Sequence, residues 1–388
     1  MKFQQWIMVL GVICASFFQT LIPVESHPVA HKIKSLPGQT RFRPGCSSIG
    51  TGAFIEHGPF RPSGYNLVEN EYSWNKETNM LYLESPAGVG FSYSSNKSFY
   101  SYVDDEITAQ DSLLFLKLWF AKFPEYQNRD FFIAGESYTG HYVPQLAHLI
   151  VQSNVKFKLK GIAIETPLLE FAIDFNAPNE YYWSHGLISD AVYSLLSKYC
   201  NSSLMMREAI NGGFLSPACT VVDTQLSGEL SQSINIYYVI GDVCEQSSGQ
   251  SQVETQYHPL QSRLVRQSKE DVCAQENIDK YLNKKDVQQA LHARLDGGPK
   301  WVLCSNGDQD SVVPFTGTRT LVHGLAMELG LETTVPYRAW FEGKQVGGWT
   351  QLPFANIRGA SHTAPASQPE RSLMLFKGFI AGQPLPAT

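Results

Sequence analysis

Short apolar runs alternate with amphipathic segments along this chain, and each change of pattern predicts a new element. Apolar residues dominate positions 80–84, 131–134 and 160–164, which predicts three short strands. Positions 104–123 and 141–151 have the apolar spacing of helices. Strands that are apolar on both faces and alternate with helices form a mostly parallel central sheet with helices on both faces, so the pattern predicts an α/β fold.

The first predicted helix, over residues 104–123, begins with acidic side chains and carries one apolar stripe. Acidic groups suit the positive end of the helix dipole, which supports a start near Asp104. The stripe consists of Leu114, Phe115, Leu118 and Trp119. We expect these four side chains to face the core.

The alternation of strands and helices returns after residue 300. Strands are predicted over residues 301–304, 336–341 and 354–358, with a helix over residues 317–329. A last amphipathic helix is predicted to begin at Pro369, because proline suits the first turn of a helix.

Residues 165–300 interrupt this alternation. They contain four of the cysteines and a stretch rich in Gln and Ser over residues 245–256. We predict that they form a cap-like insertion over the sheet, within one domain that spans residues 27–388.

Residues 1–26 have the layout of a secretory signal peptide. A lysine precedes an apolar run over residues 6–18, and a small residue follows near its end. The run is too short to span a membrane, and a buried first helix is the alternative interpretation. We therefore expect a soluble mature chain in the secretory pathway, with no membrane partner once the signal is removed.

Composition excludes two further classes of protein. The 388 residues are 43% hydrophobic and 12% aromatic, which can fill a large core and excludes intrinsic disorder over most of the chain. The net charge is -6 and the sequence has no cluster of Lys and Arg, so we expect no nucleic-acid partner.

Cysteine usage fits an oxidising compartment. Of the seven cysteines, Cys14 lies in the signal segment. The six that remain are Cys46, Cys200, Cys219, Cys244, Cys273 and Cys304. An even number in a secreted chain indicates three disulfides, although the count alone does not fix which cysteines pair.

Two sequons predict glycosylation at Asn96 and Asn201 in that compartment. The sequence has no Cys-x-x-Cys pair that would indicate structural zinc. His27 and His31 have the spacing of one helix face, but we interpret them as solvated side chains near the mature N-terminus. We therefore expect neither a metal nor a cofactor.

Ser137 is the leading candidate for a nucleophile. It lies between a predicted strand and a predicted helix, in the segment Gly135-Glu136-Ser137-Tyr138-Thr139-Gly140. A sharp turn of this kind lifts a serine hydroxyl above the sheet, at the positive end of the helix, and requires small neighbours. Thr139 stands where the strict Gly-x-Ser-x-Gly pattern has its last glycine. A helix-capping serine without chemistry is the alternative.

A nucleophilic serine needs a histidine base and an acid that orients it, and in such a sheet these follow in the order Ser, Asp, His. Asp310 follows the predicted strand at residues 301–304, and His362 follows the one at residues 354–358. Asp308 is the rival acid, and we prefer Asp310 because it lies where the loop ends. A solvated turn or a helix cap could explain Ser137, Asp310 or His362 taken singly. Neither explains why all three follow in this order.

These motifs resemble the serine carboxypeptidases, a family of the α/β-hydrolase class, and most of all its plant secretory and vacuolar members. The family's Gly-Glu-Ser-Tyr-Ala-Gly motif corresponds to residues 135–140. Other matching segments are residues 44–48, 85–93, 307–311 and 359–362, and the resemblance extends from about residue 36 to residue 386.

The resemblance implies an α/β-hydrolase fold and the catalytic triad Ser137, Asp310 and His362. It also implies that the backbone N–H of Tyr138 forms half of the oxyanion hole, and that the protein is extracellular or vacuolar. Peptides are then its substrates, and a homodimer is the assembly we consider.

By the same resemblance, Glu56 and Glu136 recognise the C-terminal carboxylate of a peptide. A side-chain carboxyl can bind a carboxylate only when it is protonated and shares its proton. Burial and mutual repulsion raise the pKa of paired carboxyl groups, so we expect activity to be favoured at acidic pH.

The resemblance further implies three disulfide pairs, which are Cys46–Cys304, Cys200–Cys219 and Cys244–Cys273. The first joins the segment before Ser47 to the C-terminal half, and the other two are local bridges within the insertion.

The chain departs from the family where the second oxyanion donor is expected. The family has Asn-Gly-Gly before Pro44, whereas this chain has Arg41-Phe42-Arg43. Several strands that the family places between residues 39 and 44 are missing, and a helix and a strand are missing between Cys304 and Gly307. The abrupt joins lead us to the hypothesis of exon skipping or a faulty gene model.

The sequence therefore predicts a serine carboxypeptidase that cleaves C-terminal residues from peptides through an acyl-enzyme. A relative that transfers acyl groups with the same triad is the first alternative. Glu136 and Ser48 count against it, because those relatives tend to have Asp and Gly there. The second alternative is a catalytically impaired, shortened isoform, which the missing strands favour.

Overall fold

The computed structural model describes residues 47–63, 66–205, 216–230, 234–241, 274–293, 307–330, 338–350 and 354–386. The predicted signal peptide, the predicted strand at residues 301–304 and four cysteines, Cys46, Cys244, Cys273 and Cys304, lie outside these ranges. Among the residues described, no helix combines the length and the apolar character needed to cross a membrane.

Strands and helices follow one another in mixed order through the described ranges. The strands are β1 (Phe60–Ser63), β2 (Asn66–Glu69), β3 (Asp130–Glu136), β4 (Lys158–Glu165), β5 (Gly307–Asp308), β6 (Arg338–Glu342), β7 (Lys344–Thr350), β8 (Phe354–Ala355) and β9 (Ser361–His362). The helices are α1 (Asp105–Lys122), α2 (Thr139–Gln152), α3 (Phe171–Asp174), α4 (Ala177–Ser184), α5 (Asp190–Tyr199), α6 (Pro217–Glu229), α7 (Ala274–Leu282), α8 (Lys285–Ala290), α9 (Phe315–Glu328), α10 (Ala364–Ser367) and α11 (Pro369–Ala381). A π-helix, Ser48–Glu56, precedes β1.

The parallel pair β3–β4 is the centre of the fold, and helices cover both of its faces. On one face α1 and α2 form a core with residues of β3, β4 and neighbouring segments, and its buried members are Leu113, Leu116, Phe120, Leu146 and Ile150. On the other face Phe132 of β3 contacts Phe379 of α11, with ring centroids 5.4 Å apart. The predicted helices on both faces of a parallel pair are confirmed.

The sheet itself is divided within the described residues. Only β3 and β4 run parallel, whereas β1–β2, β5–β9 and β6–β7–β8 are separate antiparallel sheets. The predicted strand over residues 80–84 is wrong, since this segment has no strand conformation. An apolar run becomes a strand only where a neighbouring backbone completes its hydrogen bonds, and no described strand pairs with this one.

The predicted apolar stripe of α1 is wrong at two of its four positions. Leu114 and Leu118 are 55% and 63% exposed, respectively. The buried side lies one residue further round the helix, at Leu113, Leu116 and Phe120. Phe115 and Trp119, the other two predicted members, are partly buried at the edge of that core. Both sets have helical spacing, so the sequence pattern alone could not choose between them.

The other predicted helices and strands that fall within the described residues hold with small shifts. The predicted helices at residues 141–151 and 317–329 and from Pro369 correspond to α2, α9 and α11, and β6 replaces the strand predicted at residues 336–341. The last predicted strand is shorter than expected, because β8 ends at Ala355.

Helices α4, α5 and α6 of the predicted insertion form their own small core. Its buried members are Tyr181, Tyr182, Ile188, Val192, Leu196 and Val222. A disulfide joins Cys200 to Cys219 beside this core, which confirms one of the three expected pairs. The other two pairs involve cysteines outside the described residues.

Candidate active site

Ser137 occupies a sharp turn between β3 and α2. Its φ of 59° lies in the left-handed region, which a residue with a side chain adopts only under strain. Neighbouring backbone fixes the turn: the Ser137 N–H donates to the Glu165 carbonyl at 3.0 Å, and its carbonyl accepts the Leu168 N–H at 2.9 Å. Strained backbone of this kind, held in place by its surroundings, is typical of a nucleophile that must project from the sheet.

The small residues around Ser137 are required by close packing. A methyl group at Gly140 would overlap the backbone carbonyl of Leu168, and one at Gly135 would overlap the side chain of Thr139. Thr139 is accommodated in place of the usual glycine because its hydroxyl donates to the Glu136 carbonyl at 2.8 Å.

Asp310 and His362 form a buried pair close to this turn. Nδ1 of His362 lies 2.6 Å from Oδ2 of Asp310, and the two side chains are 1% and 0% exposed, respectively. The Asp310 carboxylate also accepts the N–H groups of Val312 at 2.7 Å and Val313 at 3.0 Å. It is therefore held in place by its own loop and can orient the imidazole.

A short antiparallel pair of strands sets the position of this acid and base. β5 pairs with β9 so that Gly307 lies opposite His362 and Asp308 opposite Ser361. The loop after β5 then carries Asp310 back to the ring of His362. Asp310, rather than the rival Asp308, is thus the acid that contacts His362.

The other nitrogen of His362 faces Glu136 rather than a serine hydroxyl. Nε2 lies 3.2 Å from Oε1 of Glu136 but forms no hydrogen bond. Burial lowers the pKa of His362 well below its usual value, so the ring is neutral. Nδ1 donates its proton to Asp310, which leaves Nε2 as the nitrogen that can accept a proton. The Asp–His half of the expected triad is therefore formed, and the Ser–His hydrogen bond is not.

Glu56 and Glu136 form the carboxyl pair that the sequence predicts. They share a side-chain hydrogen bond, and both are largely buried, with side chains 5% and 17% exposed. Burial is the main cause that raises the pKa of each, and for Glu136 the charge of Glu56 adds to it. The pair therefore holds a proton at acidic pH, as recognition of a carboxylate would require.

His57 and Tyr82 extend this carboxyl pair, and the sequence analysis missed both. Nε2 of His57 lies 3.5 Å from Oε2 of Glu56, and Nδ1 lies 3.1 Å from the hydroxyl of Tyr82. Burial lowers the pKa of His57 to about 3, so the ring is neutral. It is stacked on Trp74, with ring centroids 4.2 Å apart. The feature of the sequence that could have identified His57 is its position directly after Glu56.

Asp105 and His141 support the residue that follows Ser137, and the sequence analysis missed this role too. The hydroxyl of Tyr138 donates to Asp105 at 3.2 Å, and Nδ1 of His141 lies 3.3 Å from the same carboxylate. The rings of Tyr138 and His141 are stacked at 4.9 Å. In the sequence, Asp105 indicates only the acidic start of a helix, because no pattern reveals a contact across 33 positions.

The predicted glycosylation sites lie on the surface. Asn96 and Asn201 are both exposed, and each side-chain oxygen accepts hydrogen bonds from residues shortly after it. Arg43, which stands where the family has the glycine of the second oxyanion donor, lies outside the described residues.

A cavity of about 910 Å³ opens beside the site. Ser137, Glu56 and Glu136 line one end of it, and mostly apolar residues line the rest. A volume of this size can enclose a substrate of several residues.

Matches to known proteins cover most of the chain. The sequence matches the family model described as serine carboxypeptidase over residues 43–306 and 302–382. The two matched segments meet at residues 302–306, where the sequence indicates a missing segment. In the described structure this break lies just before β5.

Two plant proteins and one solved structure illustrate these similarities. Serine carboxypeptidase-like 45 from Arabidopsis thaliana is 52% identical, with 88% of this chain and 81% of the relative covered. Serine carboxypeptidase-like 46 from the same plant is 50% identical, with 96% of this chain and 86% of the relative covered. The alignment has 411 positions, more than the 388 residues of this chain, so it contains gaps in this chain.

The solved structure is Kex1(delta)p, a prohormone-processing carboxypeptidase from Saccharomyces cerevisiae. It superposes with a TM-score of 0.65 at 20% identity, covering 87% of this chain and 81% of that one. The α/β-hydrolase fold expected from the sequence is thereby confirmed.

Proposed function

The chain belongs to the serine carboxypeptidase family, and from that premise we propose that it removes C-terminal residues from peptides with Ser137, His362 and Asp310 as its catalytic triad. The observation that supports this most is the buried Asp310–His362 pair at 2.6 Å beside a strained Ser137. Acyl transfer to other acceptors, the first alternative, is not favoured, because the matching family model is described as serine carboxypeptidase and the two similar plant proteins as serine carboxypeptidase-like.

In the proposed reaction, Ser137 Oγ attacks the carbonyl carbon of the last peptide bond, and Nε2 of His362 takes the hydroxyl proton. The negative charge that develops on the carbonyl oxygen is stabilised by the backbone N–H of Tyr138, at the start of α2. His362 then gives the proton to the leaving amine. Water, deprotonated by His362, hydrolyses the acyl-enzyme and restores Ser137.

Glu136 has to leave Nε2 of His362 before this reaction can begin. In the structure Oε1 of Glu136 lies 3.2 Å from that nitrogen. A substrate carboxylate bound to the Glu56–Glu136 pair offers Glu136 a new hydrogen-bond partner. Binding of the correct substrate would thus make the base accessible to Ser137.

The raised pKa values of Glu56 and Glu136 support activity at acidic pH. The proton they share is present in acid and is lost as the pH rises through those raised values. The ionised pair would repel a substrate carboxylate. Hydrolysis should therefore become less efficient toward neutral pH.

Entry into the secretory pathway, followed by location in the vacuole or outside the cell, is part of the same proposal. The disulfide Cys200–Cys219 supports an oxidising compartment, and the exposure of Asn96 and Asn201 leaves both accessible to glycosylation. A homodimer remains a prediction. Glycosidase treatment and mass measurement of the secreted protein test the first part, and its sedimentation tests the second.

The experiment that tests the function combines a covalent probe with a peptide assay. Purified protein is treated with a fluorophosphonate, and the labelled residue is identified by mass spectrometry. Hydrolysis of a blocked dipeptide is then followed at acidic and neutral pH. Labelling of Ser137 with dipeptide cleavage in acid is expected. Absence of labelling contradicts an active enzyme, and labelling without cleavage contradicts the peptidase assignment.

A further inference from the structure

The cavity beside the active site follows the whole length of one edge of β3. Its lining includes every residue from Phe131 to Glu136. Successive side chains of a strand point to opposite faces, so consecutive residues can all border one cavity only along an edge of the strand. Ala134, in the middle of β3, is exposed, which indicates open space beside it.

That edge of β3 has no strand beside it among the described residues. β3 pairs with β4 on its other side, and this is the only described pairing that it makes. The lining of the cavity also includes residues Met80, Leu81, Tyr82 and Leu83, which form no strand. An edge of this kind presents backbone N–H and C=O groups that another extended chain can pair with.

Apolar side chains border the cavity on both sides of the sheet plane. Phe115 and Leu116 of α1 and Leu146 of α2 line it on one side, and Leu375 and Phe379 of α11 line it on the other. A strand placed there would have apolar surroundings for the side chains of both its faces. This matches the setting of a central strand in a parallel sheet.

One end of the cavity is chemically different from the rest. Glu56 and Glu136 lie there, at the end of β3 that leads into Ser137. This carboxyl pair, protonated in acid, is suited to a carboxylate. A peptide whose C-terminus is bound at this end, and whose remaining residues follow the cavity, would run parallel to β3.

We propose that the open edge of β3 binds the residues upstream of the scissile bond as an added parallel strand, with the peptide's C-terminal carboxylate at Glu56 and Glu136. This rests on the proposed function and specifies its substrate as an extended, largely apolar peptide. β3 has seven residues, so the added strand can span up to about 23 Å at ~3.3 Å per residue. Addition of a strand to a sheet edge is an established mode of peptide recognition.

Pairing along β3 requires N–H and C=O groups of the peptide backbone. The test therefore varies the length of the peptide and the number of its backbone N–H groups. Blocked peptides of two, four and six residues with alternating Val and Thr and a C-terminal Phe acid are the substrates. We expect kcat/KM to rise by about tenfold or more from the dipeptide to the hexapeptide, since each backbone hydrogen bond contributes roughly two- to tenfold. Proline or N-methyl residues at central positions should remove this gain.

Binding is measured separately from cleavage with the Ser137→Ala variant and the fluorescein-labelled hexapeptide. The free acid should bind more tightly than the same peptide as its C-terminal amide. Ala134→Trp, which fills the middle of the cavity, should weaken hexapeptide binding about tenfold or more. Ala191→Trp is the matched control, because Ala191 is exposed on α5 of the insertion and does not line the cavity.

The outcomes separate this inference from the proposed function. Cleavage of the dipeptide with no gain from length, or with a gain that proline leaves intact, overturns the strand inference and leaves the peptidase assignment standing. Proline-sensitive binding of the hexapeptide acid without cleavage of any peptide by the wild type contradicts the peptidase assignment and supports the binding site. A dimer that Ala134→Trp dissociates would place a second copy in the cavity and overturn the inference.

Discussion

Oε1 of Glu136 lies 3.2 Å from Nε2 of His362, on the side of the imidazole where a serine nucleophile would have to deliver its proton. The adjacent residue, Ser137, has the strained backbone of a nucleophile. One carboxyl group is thus in a position to contact both the base and, through its hydrogen bond with Glu56, a bound carboxylate. In the proposed mechanism, substrate binding and proton transfer would therefore be coupled at Glu136.

Replacement of Glu136 should change the pH dependence of KM. In the wild type, the raised pKa values of Glu56 and Glu136 mean that the shared proton is lost as the pH rises, so KM for a blocked dipeptide should increase by about tenfold per pH unit beyond that point. Glu136→Gln keeps a donor at position 136 at every pH, although Glu56 still ionises, so its KM should rise less steeply with pH than that of the wild type. KM measured from acid to neutral pH tests this.

A substrate without a C-terminal carboxylate provides the control for Glu136. A blocked dipeptide ester should show no comparable rise of KM with pH in either protein. Identical KM profiles for the wild type and Glu136→Gln on the free acid would show that Glu136 does not hold the shared proton.

Replacement of Asp310 should reduce kcat strongly. Asp310→Asn leaves a group of the same shape beside His362 but removes the charge that selects its tautomer and stabilises the imidazolium. We expect kcat to fall by about 10³–10⁴, with circular dichroism unchanged. Asp308→Asn in the same loop is the matched control and should retain nearly full kcat. A larger loss for Asp308→Asn would reassign the acid.

His57 should make the free energy of unfolding depend on pH. Its pKa is lowered to about 3 in the folded protein from 6.5, so its contribution to stability is present above pH 6.5 and is lost as the pH falls. The stability difference between the wild type and His57→Gln should therefore shift against the wild type by up to about 1.4 kcal/mol per pH unit between these values. Urea unfolding at several pH values measures it.

A substitution that removes no titratable group is the control for His57. Val151 is exposed on α2, and Val151→Ala should leave the slope of stability against pH unchanged. A stability difference between the wild type and His57→Gln that does not vary with pH would contradict burial of a neutral ring at position 57.

Removal of the disulfide Cys200–Cys219 should destabilise the insertion. The bridge closes a loop with a sequence separation of 19, and its loss should lower the free energy of unfolding by about 2–4 kcal/mol, because the unfolded chain gains conformational freedom. Urea unfolding of the double variant Cys200→Ser/Cys219→Ser tests this. Native-state proteolysis should then cut first between α5 and α6. An unchanged unfolding midpoint would show that the bridge does not constrain the unfolded chain.

Local patterns predicted the turn at Ser137 well because its causes are local. Gly135, Thr139 and Gly140 are small for reasons of immediate contact, and a strand and a helix flank them in sequence. The positions of Asp310 and His362 after Ser137 could be predicted for a similar reason. Each follows a segment whose own apolar pattern predicts a strand.

The failures arise where a residue's role depends on a distant partner. Residues 80–84 have the composition of a strand, and residues 80–83 line the same cavity as β3, but this segment pairs with no other strand among the described residues. Leu114 and Leu118 satisfy helical spacing as well as the residues that are buried do. Contacts such as that of Tyr82 with His57 join positions 25 apart, and no periodicity encodes them.

The short pairing of β5 with β9 has a consequence for how this enzyme could be altered. The short distance between Asp310 and His362 is set by a ladder of two residue pairs. It does not depend on the course of the chain of about fifty residues that connects them. The stretch of chain that contains helix α9 and the β6–β7–β8 sheet thus begins and ends at this ladder. We expect new termini within that stretch to leave the acid and base in contact, provided that the ladder and the core formed by Trp340 and Val346 with Ala360 are kept.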